Sequence, residues 1–105
     1  MTKRYVNENH LAWIREQPCL LQGMDCERAV IAHHLMRPWN GSRGMGLKAN
    51  DRNALPLCDG HHLALHAKGD EDAFFTMHTN NPGHGRNMAH AYWLRSPHYE
   101  KPEPT

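Results

Sequence analysis

Histidine is unusually frequent in this chain of 105 residues: there are ten, and they include the adjacent pairs His33-His34 and His61-His62. Imidazole is a common ligand for divalent metals and titrates near neutrality, so metal binding and proton transfer are the chemistries to look for. His62 and His66 stand four residues apart. On a helix their rings project from one face, one turn apart, where two imidazoles can share an ion. The zinc-protease motif uses the same spacing but needs Glu directly after the first histidine, and Leu63 occupies that position. Leu63 therefore argues against metalloprotease chemistry, and two surface histidines on an amphipathic helix would share this spacing. In His33-His34, neighbouring side chains on a strand point to opposite sides, so one ring could meet a metal while the other serves elsewhere. A packed ring beside a solvated one fits that pair equally well.

The cysteines form a second constellation. There are three, an odd number, and residues 1–10 are polar, without the hydrophobic run of an export signal. Metal ligation in a reducing compartment suits such a chain better than a disulfide framework. Cys19, Cys26, Cys58 and His61 together offer the four ligands of a structural zinc site; buried free cysteines are the alternative. On a helix His61 lies about 100° from His62 and would face away from an ion held there, so two sites need not compete. Arg37, Arg43, Lys48 and Arg52 flank or occupy a glycine-rich segment where the backbone could approach a phosphate; scattered solvated charge is the other reading. Net charge is only +1, which gives no global basic field.

Several elements must position these residues. Apolar spacing between Val6 and Glu16 predicts a short helix ended by Pro18. The run Ala29-Val30-Ile31-Ala32 predicts a strand leading into the histidine pair, and a turn-rich stretch from Pro38 to Asn53 predicts a long loop. Ala54 to Cys58 reads as a second strand confined to an edge by Pro56, after which Asp59-Gly60 reads as a turn. Helices are expected over His61 to Lys68 with Gly69 as stop, over Glu71 to Met77 from an Asp70 cap, and over Arg86 to Leu94. Trp13, Phe74, Phe75 and Trp93 read as core, Trp39 as a base-stacking or core-covering ring, and His10, His78, His84, His90 and His98 as bystanders.

Taken together, Ala32-His33-His34, Asn53 and His62-x-x-x-His66 resemble the His-Asn-His signature of HNH nucleases, and the colicin DNase subgroup shares the adjacent histidines. Small phage and prophage HNH proteins are similar in Gln17-Pro18-Cys19, Gly44-Met45-Gly46-Leu47-Lys48 and Leu55-Pro56-Leu57-Cys58 as well. The resemblance implies a β-hairpin packed on a helix around one divalent ion, with His33, His62 and His66 as ligands and His34 as general base. Asn53 would take the family's central position, tethering the loop or orienting the base ring, with Asp51 and Asn50 as the alternatives. Many members carry paired Cys-x-x-Cys knuckles; here Gln22 stands where the first pair would close and His61 where the second would, with Cys26 as the substitute.

The expectation is an α+β fold of ββα-metal type with flanking helices, stapled by zinc because a chain that is only 39% hydrophobic buries little. One nuclease domain would span 1–95, with a flexible tail over 96–105. The function implied is metal-dependent hydrolysis of DNA in the cytoplasm, away from membranes, with a catalytic ion (magnesium, manganese, nickel or zinc) and a structural zinc. A phage packaging or recombination partner is compatible, and the oligomeric state stays open. The non-enzymatic reading is a zinc-stapled binding module of a phage assembly that has lost catalysis, against which an intact His34 speaks.

Overall fold

A computed structural model of the chain describes residues 4–23, 26–41 and 48–100. Among these residues it is α+β: a two-stranded antiparallel sheet and four helices. The first helix, α1, spans Glu8–Arg15 and begins where the Asn7 side chain accepts the His10 backbone N–H at 3.0 Å. The strands β1 (Val30–His34) and β2 (Ala54–Cys58) pair with Val30 opposite Cys58 and His34 opposite Ala54. Asp51–Asn53 form a single 3-10 turn immediately before β2. Three helices follow: α2 (Asp59–Lys68), α3 (Glu71–Thr79) and α4 (His84–Arg95).

All five residues of β2 are buried, because α1, α2 and α4 all pack against it. Leu55, Leu57, Leu65, Phe74 and Phe75 form the centre of the core with Leu21 and Leu35, and a smaller cluster joins Leu11, Ile14 and Ala54. Pro56 can occupy this strand because a two-stranded sheet has only edges, and its carbonyl accepts the Leu20 N–H at 2.8 Å. Gly69 closes α2 with φ 78°, a left-handed geometry that glycine adopts without strain. Gly85 sits inside α4 for a different reason: a Cβ there would come within 2.8 Å of the Phe75 ring.

The structure departs from the sequence expectations at the start of α2 and at the expected tail. Asp59-Gly60 is not a turn but the first turn of α2; the Cys58 side chain caps it by accepting the His61 N–H, and Arg28 pairs with Asp59 at 2.6 Å. The expected tail begins with packed residues. Ser96 is buried with its hydroxyl 2.9 Å from His10 Nδ1, the His98 carbonyl accepts from Asn7 at 3.1 Å, and Tyr99 packs 5.2 Å from the Trp93 ring. Residues 101–105 of that tail, like Arg43 and the glycines Gly44 and Gly46, lie outside the described residues. No helix among the described residues is long and apolar enough to cross a membrane.

His10 proves to be a core residue. It is fully buried, its ring meets Trp13 and Trp93, and its Nε2 has no hydrogen-bond partner among the described residues. Burial pushes its pKa down to about 4, partly opposed by the Asp51 charge. Between the folded value and the ordinary value of about 6.5, the unfolded chain binds the extra proton, so stability rises with pH across that window. Acidification from pH 7 to pH 4 is expected to withdraw up to about 3 kcal/mol through this residue. Urea titrations at both pH values will show a shallower pH dependence in His10→Gln than in wild type. Gly85→Ala is expected to cost about 1–3 kcal/mol by overpacking against Phe75, read in the same titration.

Candidate metal centres

The register of the hairpin separates the adjacent histidines. His33 is buried on one side of β1 and His34 lies half-buried on the other, at the last position of the strand. The His33 ring centroid lies 5.2 Å from that of His62 and 6.1 Å from that of His66. These three residues each offer a ligand atom within 4.8 Å of the others. His62 Nε2 and His66 Nε2 are 3.0 Å apart, within the range of about 2.9–3.3 Å expected for two nitrogens bound to one ion at about 2.0–2.1 Å. Burial and the neighbouring His33 and His66 hold the His62 pKa below its usual value, which keeps that ring neutral and able to donate a lone pair.

Glu71, the first residue of α3, braces this cluster. Its carboxylate lies 2.8 Å from His33 Nε2 and accepts the backbone N–H groups of Met36 and Arg37 at about 3 Å. With Nε2 engaged, Nδ1 is the nitrogen His33 has left for an ion, and a carboxylate behind a ligating histidine fixes its tautomer and orientation.

On the opposite side, His34 Nε2 is 2.8 Å from Asp51 Oδ1. Asp51 is 1% exposed and also accepts from the Asn7 N–H at 2.8 Å and from Arg4 at 3.1 Å. Burial alone would raise its pKa, but the hydrogen bonds from His34 and Asn7 and the charges of His34 and Arg4 outweigh it and lower the value. An ionised carboxylate only accepts, so His34 donates from Nε2, and its Nδ1 carries the lone pair when the ring is neutral.

Asn53 therefore does not orient His34. Its Oδ1 accepts the N–H groups of Trp39 and Asn40 at 2.8 and 3.1 Å, and its Nδ2 donates to Asn40 and Asn50. The amide holds the two ends of the loop together, while Asp51, two residues earlier, holds the ring. Glu71 and Arg4 gave no sequence signal, since neither belongs to a spaced motif. Of the predicted basic residues that are described, Arg37 bonds Asp72 at 3.2 Å, Arg52 lies over the Tyr5 ring, and Lys48 is exposed.

The second cluster lies at the start of α2. Cys19, Cys26, Cys58 and His61 again offer ligand atoms within 4.8 Å of one another and could hold a metal ion. The three sulfurs stand 3.6, 3.8 and 3.1 Å from His61 Nδ1, close to the edge of about 3.6 Å in a tetrahedral zinc site. Burial opposes ionisation of Cys58, yet N–H groups of His61 and Glu27 and the neighbouring thiols lower its pKa to about 7. Cys26 is pushed up to about 11 by desolvation and by the other two sulfurs. Cys58 is thus the first of the two to become thiolate, the form that ligates metals.

Zinc added to chelator-stripped protein at a hundredfold its dissociation constant is expected to stabilise the fold by about 2.7 kcal/mol, seen as a rise in Tm. Cys58→Ser should lose most of that rise. A Cys58→Ser protein that still responds like wild type would show that this cluster is not where the stabilising ion binds. Glu71→Ala is expected to cost about 3–5 kcal/mol, because His33 and two backbone N–H groups lose a buried charged partner.

Comparison with known proteins places these residues in a family. A protein described as "Uncharacterized protein YdfU" from Escherichia coli (strain K12) is 42% identical over 64 residues, which cover 61% of this chain and 17% of that relative. The chain thus spans about a sixth of the length of YdfU. No solved structure matches. Residues 1–91, which contain both clusters together with Asp51 and Glu71, match the family model described as "Protein of unknown function (DUF968)", and the chain belongs to that family.

Proposed function

We propose that this chain is a metal-dependent endonuclease of HNH type that hydrolyses phosphodiester bonds in DNA. The observation that carries the reading is the division of the adjacent pair: His33 meets His62 and His66, while His34 is held by the buried Asp51. A lone metal cluster would suit a structural role, but a second histidine with a braced Nε2 and an available Nδ1 is what a general base requires.

His33, His62 and His66 would hold one divalent ion, which supplies Lewis-acid stabilisation of the charge developing on the phosphate and the leaving oxygen. The exposure of His66 leaves that side open to a polymer. The scissile phosphate would lie across the end of β1, where the strand finishes at His34 and the two faces of the hairpin meet. His34 Nδ1 would accept a proton from water as the new O–P bond forms and the P–O3′ bond breaks, and the leaving oxygen would take a proton from solvent. Asp51 stabilises the imidazolium so formed and prevents the ring from turning. The Cys19–Cys26–Cys58–His61 cluster would carry a structural zinc, a separate duty because His61 and His62 point to different sides of α2. Arg37, which also bonds Asp72, and Lys48 are exposed and would meet the backbone of the substrate.

Chelator-stripped protein should leave supercoiled plasmid intact and nick it once magnesium, manganese, nickel or zinc is restored. His34→Ala should still bind metal but nick about a hundredfold to ten-thousandfold more slowly, the usual contribution of a general base. If folded wild type and His34→Ala are equally inert with every ion, the catalytic reading falls and a zinc-stapled binding module takes its place.

A further inference from the structure

A cavity of about 470 Å³ opens between α4, the Trp39-Asn40 pair and the 3-10 turn. Its walls include Trp39, Asn40, Arg52, His90, Trp93 and Tyr99, so four aromatic rings and two hydrogen-bonding side chains face one space. The volume falls in the range of ordinary small-ligand sites, about 300–1,000 Å³. Neither metal cluster contributes a wall.

Each part of the wall is held. Trp39 donates its backbone N–H to Asn53 Oδ1 and its indole N–H to the Arg52 carbonyl, both at 2.8 Å. The exposed His90 ring lies parallel to the indole, with centroids 4.0 Å apart and 17° between planes. The indole packs on the core from one side and carries the exposed imidazole as a stacked partner. Trp93 is locked from behind by Tyr5, His10 and Tyr99. The Arg52 guanidinium lies 3.7 Å over the Tyr5 ring and 3.4 Å from Asn40 Oδ1; among the described residues no carboxylate pairs with it.

We propose that this cavity receives one unpaired base of a DNA strand, which adds to the Trp39–His90 stack while Arg52 and Asn40 meet polar edges of the nucleotide. Aromatic platforms bind bases through their faces, and a base inside a duplex has neither face free, so the occupant is a single-stranded or locally opened nucleotide. The placement relative to the candidate catalytic residues follows from the chain itself. Asp51 bonds His34, and the next residue, Arg52, lines the cavity, so a base seated here would keep its own strand in register with the phosphate facing His34. Stacking also answers the charge problem: a chain of net charge +1 has little general attraction for DNA. The inference rests on the endonuclease reading for its choice of DNA as the source of the base.

The test measures binding rather than cleavage, on the full chain carrying His34→Ala so that the strand survives. Fluorescence anisotropy would compare a labelled single strand of about ten nucleotides with the same strand fully paired, while tryptophan quenching follows the cavity itself. The single strand is expected to bind about tenfold more tightly than the duplex, to quench tryptophan emission, and to lose about fivefold in affinity on His90→Ala, a change at an exposed position. Trp39→Phe, which keeps a ring, should retain most of the affinity, and Trp39→Ala, checked for folding by circular dichroism, should lose about tenfold. Equal binding of both DNAs with no effect of either residue would overturn the cavity proposal and leave the endonuclease reading untouched. Quenching by thymidine 5′-monophosphate without any by the oligonucleotide would overturn it in favour of a free-nucleotide site. Strand binding as expected, with no plasmid nicking by wild type under any ion, would sink the endonuclease reading and leave the cavity standing as a single-strand binding site.

Discussion

Two buried carboxylates organise this molecule. Glu71 and Asp51 are 3% and 1% exposed, and each stands 2.8 Å from one member of the adjacent pair His33-His34. A carboxylate taken out of water is tolerated only where donors surround it, and both are supplied with backbone N–H groups as well as an imidazole. Because the donors come from distant segments, meeting the demand draws those segments together. Glu71 ties the start of α3 to the residues that leave β1; Asp51 ties Arg4 and Asn7, just before α1, to the end of the hairpin. The histidines are held in opposite directions as a result, His33 beside His62 and His66 and His34 against Asp51.

The boundary between β2 and α2 is the second organising point. Cys58 is at once the last residue of the strand, the cap of the helix and a member of the cysteine cluster. An ion at that cluster would fix where α2 begins and how it is rotated, and so where His62 and His66 point one step along the helix. A stapled helix start is a practical way for a short chain to achieve the rotational precision that a large core supplies in bigger proteins. The two clusters are thus distinct in chemistry, one sulfur-rich and exposed only at Cys26, the other nitrogen-only and open to solvent at His66, yet mechanically linked through one helix.

The described residues between the two strands are tied together by amides. Asn53 gathers the backbone near Trp39 and Asn40, and Asn50 reaches Asn40 from the other side. This network sets Trp39 in place beside α4, so the same three-residue turn serves the His34 partner, the loop tether and the aromatic cavity at successive positions, Asp51, Asn53 and Arg52. Such concentration suits a small domain, where one rigid turn must do what several loops do elsewhere.

Local chemistry in the sequence determined the elements and the ligand types. The β-branched run before His33, the helical spacing of His62 and His66, the Gly69 stop and the Asp70 cap are short-range patterns, set by neighbours within a turn or two, and the structure follows them closely. The first turn of α2 is hidden from a local reading because Asp-Gly is a common turn pair and the cap that overrides it is a cysteine. The packing of residues 96–100 leaves no local pattern because it depends on Asn7 and His10, nearly the whole chain away. Only the tertiary structure decided that Asp51 rather than Asn53 holds His34, that Glu71 braces His33 and that His10 is core. Sequence spacing reports which residues share a face of one element, whereas a buried hydrogen bond depends on which elements meet, and that is settled by packing over separations no local pattern records.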